Sequence, residues 1–97
     1  MRFSRDARKS TRNLRERGFD FEFAALIFKG PTLEREDSRR DYGERRIIAL
    51  GEADGMGLTV VYTDRAGAGD EVVRRIISAR VSSRRERKTY EQAVRQK

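Results

Sequence analysis

A chain of 97 residues with 36% hydrophobic and 40% charged residues has room for one hydrophobic core and not for two, so residues 1–97 are expected to form one domain. The absence of cysteine excludes a disulfide framework and a thiolate metal site, and the absence of histidine removes the usual neutral-pH acid/base and the commonest metal ligand. Catalysis, if present, must use Arg, Lys, Tyr, Glu or Asp, and neither metal nor cofactor is expected. The apolar stretch 23–28 is far too short for a membrane span and the opening residues lack the apolar run of a signal peptide, so a cytoplasmic protein without a membrane partner is expected. A net charge of +7 from 23 Lys plus Arg against 16 Asp plus Glu favours partners rich in phosphate or carboxylate, although it also serves plain solubility.

In chain order, Asp6 is placed to cap a helix over Ala7–Arg17 and Gly18 to stop it. The helix has a weak apolar stripe of Ala7, Thr11 and Leu14, ringed by Arg8, Lys9, Arg12, Arg15 and Arg17; Phe3 before it suits either a strand or an N-terminal anchor. Asp20 is placed to cap a second helix over 21–28, whose Phe23, Ala24, Ile27 and Phe28 share a core-facing side, and Gly30-Pro31 ends it. The polar stretch 32–40 suits a short edge strand. Three strands follow at 45–50, 58–63 and 72–79, joined by the glycine-bearing connections 51–57 and 64–70 as an antiparallel meander. Strict alternation in the last of them puts Arg75, Ile77 and Ala79 on one face and Arg74, Ile76, Ser78 and Arg80 on the other. Ser83 and Glu86 have capping-box spacing and open a third helix, polar nearly all round, which either touches the sheet through Tyr90 and Ala93 or extends into solvent. The expected class is α+β: two N-terminal helices, a mainly antiparallel sheet and a C-terminal helix.

Arginine clusters are the main chemical feature: Arg45 with Arg46, Arg74 with Arg75, Arg80, and Arg84 with Arg85 and Arg87. If guanidinium groups from separate strands meet in one hollow, they suit a phosphodiester backbone; if each pairs with its own carboxylate, they merely solvate a face. RNA cleavage needs an acceptor for the 2′-hydroxyl proton, cations for the charge developing on phosphorus, and a donor for the 5′ oxygen. Tyr90 with Glu86 or Glu91 can supply donor and acceptor, and Arg80 and Arg75 the cations. The plainer roles are packing for Tyr90 and capping for Glu86. The glycines of 51–57 and 67–69 lack the following Lys-Ser/Thr of a phosphate loop, and Asp37, Asp41, Asp54 and Asp64 lie apart.

The order of elements and the motifs together resemble the BrnT family of toxins from bacterial type II toxin–antitoxin pairs. The resemblance is carried by Phe3, Asp6, Lys9 and Asn13, by Gly18-Phe19-Asp20-Phe21-Glu22 leading to Ala25, and by Phe28 followed by Pro31. It continues through Gly43-Glu44-x-Arg46, Gly51, the run Arg75-Ile76-Ile77-Ser78-Ala79-Arg80, Arg84 to Arg87, and Tyr90-Glu91. It implies a RelE-like fold and metal-independent ribonuclease activity that inhibits translation. It also implies a BrnA-type antitoxin that carries the DNA-binding part, so that DNA is reached only through the toxin–antitoxin complex. On this reading Arg80, Arg75, Tyr90 and Glu91 form the catalytic group, and Arg46, Lys9, Arg17 and Arg84 contact RNA. The chain departs from the family pattern at Glu16-Arg17, where Lys-His is usual, at Arg5, where an aromatic is usual, and in a longer 64–70 connection. A guanidinium at position 17 binds phosphate but is a poor general base. Two rivals remain: a catalytically degenerate toxin-like module that binds an antitoxin or nucleic acid, and a general RNA-binding surface.

Overall fold

In a computed structural model, which describes residues 1–95, Asp6 is extended and its carboxylate accepts the N–H groups of Arg8 (2.9 Å) and Lys9 (3.3 Å), starting α1 (Ala7–Arg17). Gly18, at φ 86°, closes it by bonding Leu14 O. The buried side of α1 is polar: Ser10 Oγ accepts from Phe21 N (3.0 Å) and Asn13 Nδ2 donates to Phe19 O (2.9 Å). The expected stripe is therefore corrected, since Ala7, Thr11 and Leu14 are exposed. The helix is held by hydrogen bonds to the next segment rather than by an apolar face, and each buried polar group in those bonds is satisfied.

Asp20 caps α2 (Phe21–Ala24) through Phe23 N at 2.9 Å, and the chain then tightens into a 3-10 turn over Ala25–Lys29 instead of continuing as one helix. The tighter winding sets Ile27 directly on the sheet. A Cβ at Gly51 would stand 2.8 Å from Ile27 Cβ, so only glycine permits this approach.

The strands are β1 (Arg2–Arg5), β2 (Leu33–Glu36), β3 (Ile47–Ala53), β4 (Met56–Ala66) and β5 (Val72–Val81), followed by α3 (Arg84–Arg95). Their order in the sheet is β1-β5-β4-β3-β2. The antiparallel succession from β2 to β5 agrees with the sequence, but β1 adds a parallel edge strand beside β5 and makes the sheet mixed. Helices and strands thus form an α+β architecture in which a strand, not a helix, comes first. β3 and β4 are longer than expected and turn on Asp54-Gly55, both at positive φ (49° and 79°), as two-residue hairpins require.

One face of the sheet, with Ala49, Leu58, Val60, Tyr62, Ile76 and Ala79, packs on Phe19, Phe21, Ala24 and Ile27. The opposite face buries Ile48, Thr59, Val61 and Thr63. Over it lie α3 and the segment 37–46: Arg87 sits against Gly57, Tyr90 Oη donates to Pro31 O (2.8 Å), and Thr63 Oγ1 donates to Arg45 O (2.8 Å).

Candidate nucleic-acid interface

A bulge in β5 decides which arginines share a face. Tyr62 pairs with Ile76 and Val61 with Ser78, so Ile77 has no register partner and alternation shifts by one residue. Ile76 and Ala79 consequently both enter the core, whereas Arg75, Ser78 and Arg80 point to the opposite face beside Thr63, Val61 and Thr59. This corrects the face assignment expected from strict alternation, which had separated Arg75 from Arg80. Arg74 goes to the core side, where its guanidinium lies 3.9 Å from the Tyr62 ring centroid and 4.7 Å from that of Phe28, and binds both oxygens of Asp64 at 2.8 and 2.9 Å. It holds the fold together and is not offered to a ligand.

Pairing of β1 with β5 ends at Ile76, and α1 flanks the rest of that edge. Arg17 Nη1 donates to Ala79 O at 2.8 Å, satisfying a strand carbonyl beyond the reach of β1. Between helix and strand runs a groove of about 240 Å³ lined by Lys9, Arg12, Asn13, Arg17, Ile77 and Ser78, with Glu16 on its wall. Arg75 lies outside the groove, in the stretch of β5 paired with Ser4 of β1, and the Asp6 carboxyl is held below its usual range first by the backbone bonds from Lys9 and Arg8, and further by the charges of Lys9 and Arg75. Lys9, Arg12, Arg17, Arg75 and Arg84 form no ion pair with any described residue.

Arg80 is differently placed. Its Nη1 and Nη2 bind the two oxygens of Glu86 at 2.6 and 2.9 Å, while Glu86 also accepts Ser83 N (2.8 Å) and donates its own N–H to Ser83 Oγ (3.1 Å). The expected capping box is therefore present and shares its carboxylate with a strand arginine. Arg80 above all, and then the Ser83 N–H, hold the Glu86 carboxyl at about 2, against the effect of burial. A carboxyl depressed in the folded state stabilises the fold above its ordinary value near 4.5 and loses that contribution as pH falls toward 2. In urea titrations, the midpoint of the wild type should fall more between pH 4.5 and 2.5 than that of Glu86→Gln, which keeps the cap and lacks the charge; equal falls would show that the pair contributes nothing.

The segment 37–46 carries a second cluster. The buried carboxylate of Asp37 accepts from Arg39 Nε and Nη2 (both 2.8 Å), from Arg39 N (3.3 Å) and from Tyr42 Oη (3.2 Å), and Arg39 more than any other group drives its pKa far down. Arg46 bonds Glu44 at 3.0 Å and stacks over Tyr42 at 4.1 Å from the ring centroid; Glu44 also binds Arg65 at 3.0 Å. The bond to Glu86 raises the pKa of Arg80, with burial and the like charge of Arg39 acting in the opposite direction.

Tyr90 and Glu91 lie farther along α3, at a cavity of about 230 Å³ shared with Glu52, Gly57, Ser82 and Arg87 near the β3–β4 turn. Tyr90 is 7% exposed, its hydroxyl proton is engaged by Pro31 O, and burial pushes its pKa up. Arg84 is exposed at the start of α3. The structure thus gathers Lys9 and Arg17 at the β5 edge, sets Arg75 and Arg80 on one face of β5 with Arg80 under the hold of Glu86, holds Arg46 to Glu44, and places Tyr90 and Glu91 beside the hairpin end. Sequence reasoning missed Arg12 and Ser78 in the groove and Arg39 and Tyr42 in the segment. For the last two a signal existed, namely arginines interleaved with an aromatic in a stretch without apolar periodicity.

Among the described residues no group of three or more carboxylates is placed to hold a metal ion, and no helix is long and apolar enough to cross a membrane. Comparison with curated proteins gives no match. Residues 6–86, which contain the groove, the segment 37–46 and the capping box, match the family model described as "Ribonuclease toxin, BrnT, of type II toxin-antitoxin system", and the chain belongs to that family.

Proposed function

We propose that the chain cleaves RNA without a metal ion, thereby inhibits translation, and is neutralised by a BrnA-type antitoxin through which alone it reaches DNA. Membership of a ribonuclease toxin family supports this reading, and the observation that carries it is the set of cations without an ion pair among the described residues, Lys9, Arg12 and Arg17 in the groove at the β5 edge and Arg75 on the strand face beside Thr63. A phosphodiester chain laid there follows the β5 edge from Lys9 and Arg75 toward Arg80. Arg75 and Arg80 take the charge that develops on phosphorus, Arg46 and Arg84 extend the grip, and Tyr90 or Glu91 assists proton transfer. For Tyr90 to donate, its bond to Pro31 must open. Purified protein should cleave labelled RNA equally with and without EDTA; intact RNA at high protein concentration would exclude the enzyme.

A second reading, a toxin-like module that binds its antitoxin without catalysis, is favoured by two observations. Arginine stands at position 17, and the carboxylate nearest Arg80 has a pKa of about 2, which makes it a weak base at neutral pH. Production of the chain alone in bacteria separates the two: growth arrest relieved by co-production of a BrnA-type antitoxin supports the toxin, and unimpaired growth supports the module.

A further inference from the structure

We propose that the ring of Tyr42 is a stacking platform for one nucleobase of a single-stranded RNA, an inference that rests on RNA being the ligand of the adjacent cationic edge. Three features of the segment 37–46 support it. The first is rigidity: Asp37 ties Arg39 and Tyr42 into one knot, Asp37 N is bonded to Arg46 O (2.8 Å), and Thr63 fastens the backbone at Arg45. A ring fixed in this way loses little further freedom when a base settles on it. The second is location. Thr63, which fastens the segment by bonding Arg45 O, is the register partner of Arg75, and Arg80 lies on the same face of β5, so phosphates held there leave their bases within reach of the segment.

The third feature is the uneven grip on the ring. Arg46 is held by Glu44 and stacks on Tyr42 at 4.1 Å, a fixed layer. Arg40 is exposed, forms no ion pair with a described residue, and stands 5.9 Å from the same centroid. A guanidinium in that position is a loose cover, since a nucleobase presents a larger flat surface to the ring and Arg40, once displaced, can turn to a phosphate. Bases inside a duplex are stacked on one another and have no free face, so the platform selects unpaired RNA.

The test uses the full chain and a 2′-O-methyl RNA oligonucleotide, which has no 2′-hydroxyl to attack its phosphates, compared with an abasic oligonucleotide of equal length and charge. The wild type should bind the base-bearing strand about 5- to 100-fold more tightly, with the same dependence on salt for both. Tyr42→Phe, which keeps the ring and loses only the bond to Asp37, should retain most of that ratio; Tyr42→Leu should bring it toward one without changing affinity for the abasic strand. Equal affinity of the wild type for the two strands, with steep salt dependence, would overturn the platform and leave RNA binding intact, as would a ratio unchanged in Tyr42→Leu. Binding to neither strand would remove the RNA reading itself, and an acidic peptide competing where RNA does not would assign the segment to a protein partner instead.

Discussion

Arg75→Ala is expected to slow RNA cleavage by about 100- to 1,000-fold, the usual effect of deleting a group that stabilises developing charge at a reacting centre. Arg75 projects from the face of β5 opposite the core, beside Thr63, is half-buried, belongs to no ion pair with a described residue, and lies outside the core cluster. Its removal should therefore cost about 1 kcal/mol of stability or less. The neighbouring Arg74→Ala makes the contrast. It removes a guanidinium packed on Tyr62 and Phe28 and bound to Asp64, and should lower stability by about 1–3 kcal/mol, with any loss of activity following the unfolded fraction. Single-turnover cleavage and urea midpoints measured on both variants check the pair of expectations. Wild-type cleavage by Arg75→Ala would move the active site away from the β5 edge.

The largest effect on stability is expected at Ile27. It is fully buried in the 3-10 turn and rests on Gly51, so Ile27→Ala should cost about 2–5 kcal/mol through lost transfer energy and the cavity left behind. In a domain whose total stability is of the order of 5–15 kcal/mol that is a large share. Gly51→Ala attacks the same contact from the other side: its methyl group meets the Cβ of Ile27, an atom that cannot rotate away, and overpacking of this kind costs about 1–3 kcal/mol. Both should lower the urea midpoint with an unchanged slope. A loss below about 1 kcal/mol for Ile27→Ala would mean that the 3-10 turn is not a fixed part of the core.

The parts of the fold that were legible in the sequence are those fixed by neighbours in the chain. Asp6, Asp20, the Ser83–Glu86 box and Gly18 mark helix ends because a cap needs only a side chain and an N–H or carbonyl a few residues away. The strands announce themselves by their β-branched runs, but their ends were drawn short at Gly51 and Gly57, which lie inside β3 and β4; the Asp54-Gly55 pair was the better guide to the turn. β1 was obscure because Arg2–Arg5 is short and half charged and its partner lies some seventy positions later. The packing of α1 was obscure because its anchors, Ser10 and Asn13, are polar and escape any search for apolar periodicity.

The candidate site shows the same division. Which residue types to watch was plain from composition, whereas the fate of each guanidinium depends on contacts across strands. One unpaired residue, Ile77, sends Arg75 and Arg80 to a common side and Arg74 to the other. Glu86 reaches Arg80 only because the cap of α3 falls beside the end of β5. Neither event leaves a mark in local sequence.

The parallel pairing of β1 with β5 also bears on how the molecule is born. Its cationic groove joins residues 9–17 to 77–79, so a nascent polypeptide emerging from the ribosome does not possess that groove until those residues are out of the exit tunnel. Such distant partners must also find each other late, after the intervening hairpins have shortened the path between them, which favours slow completion of the edge.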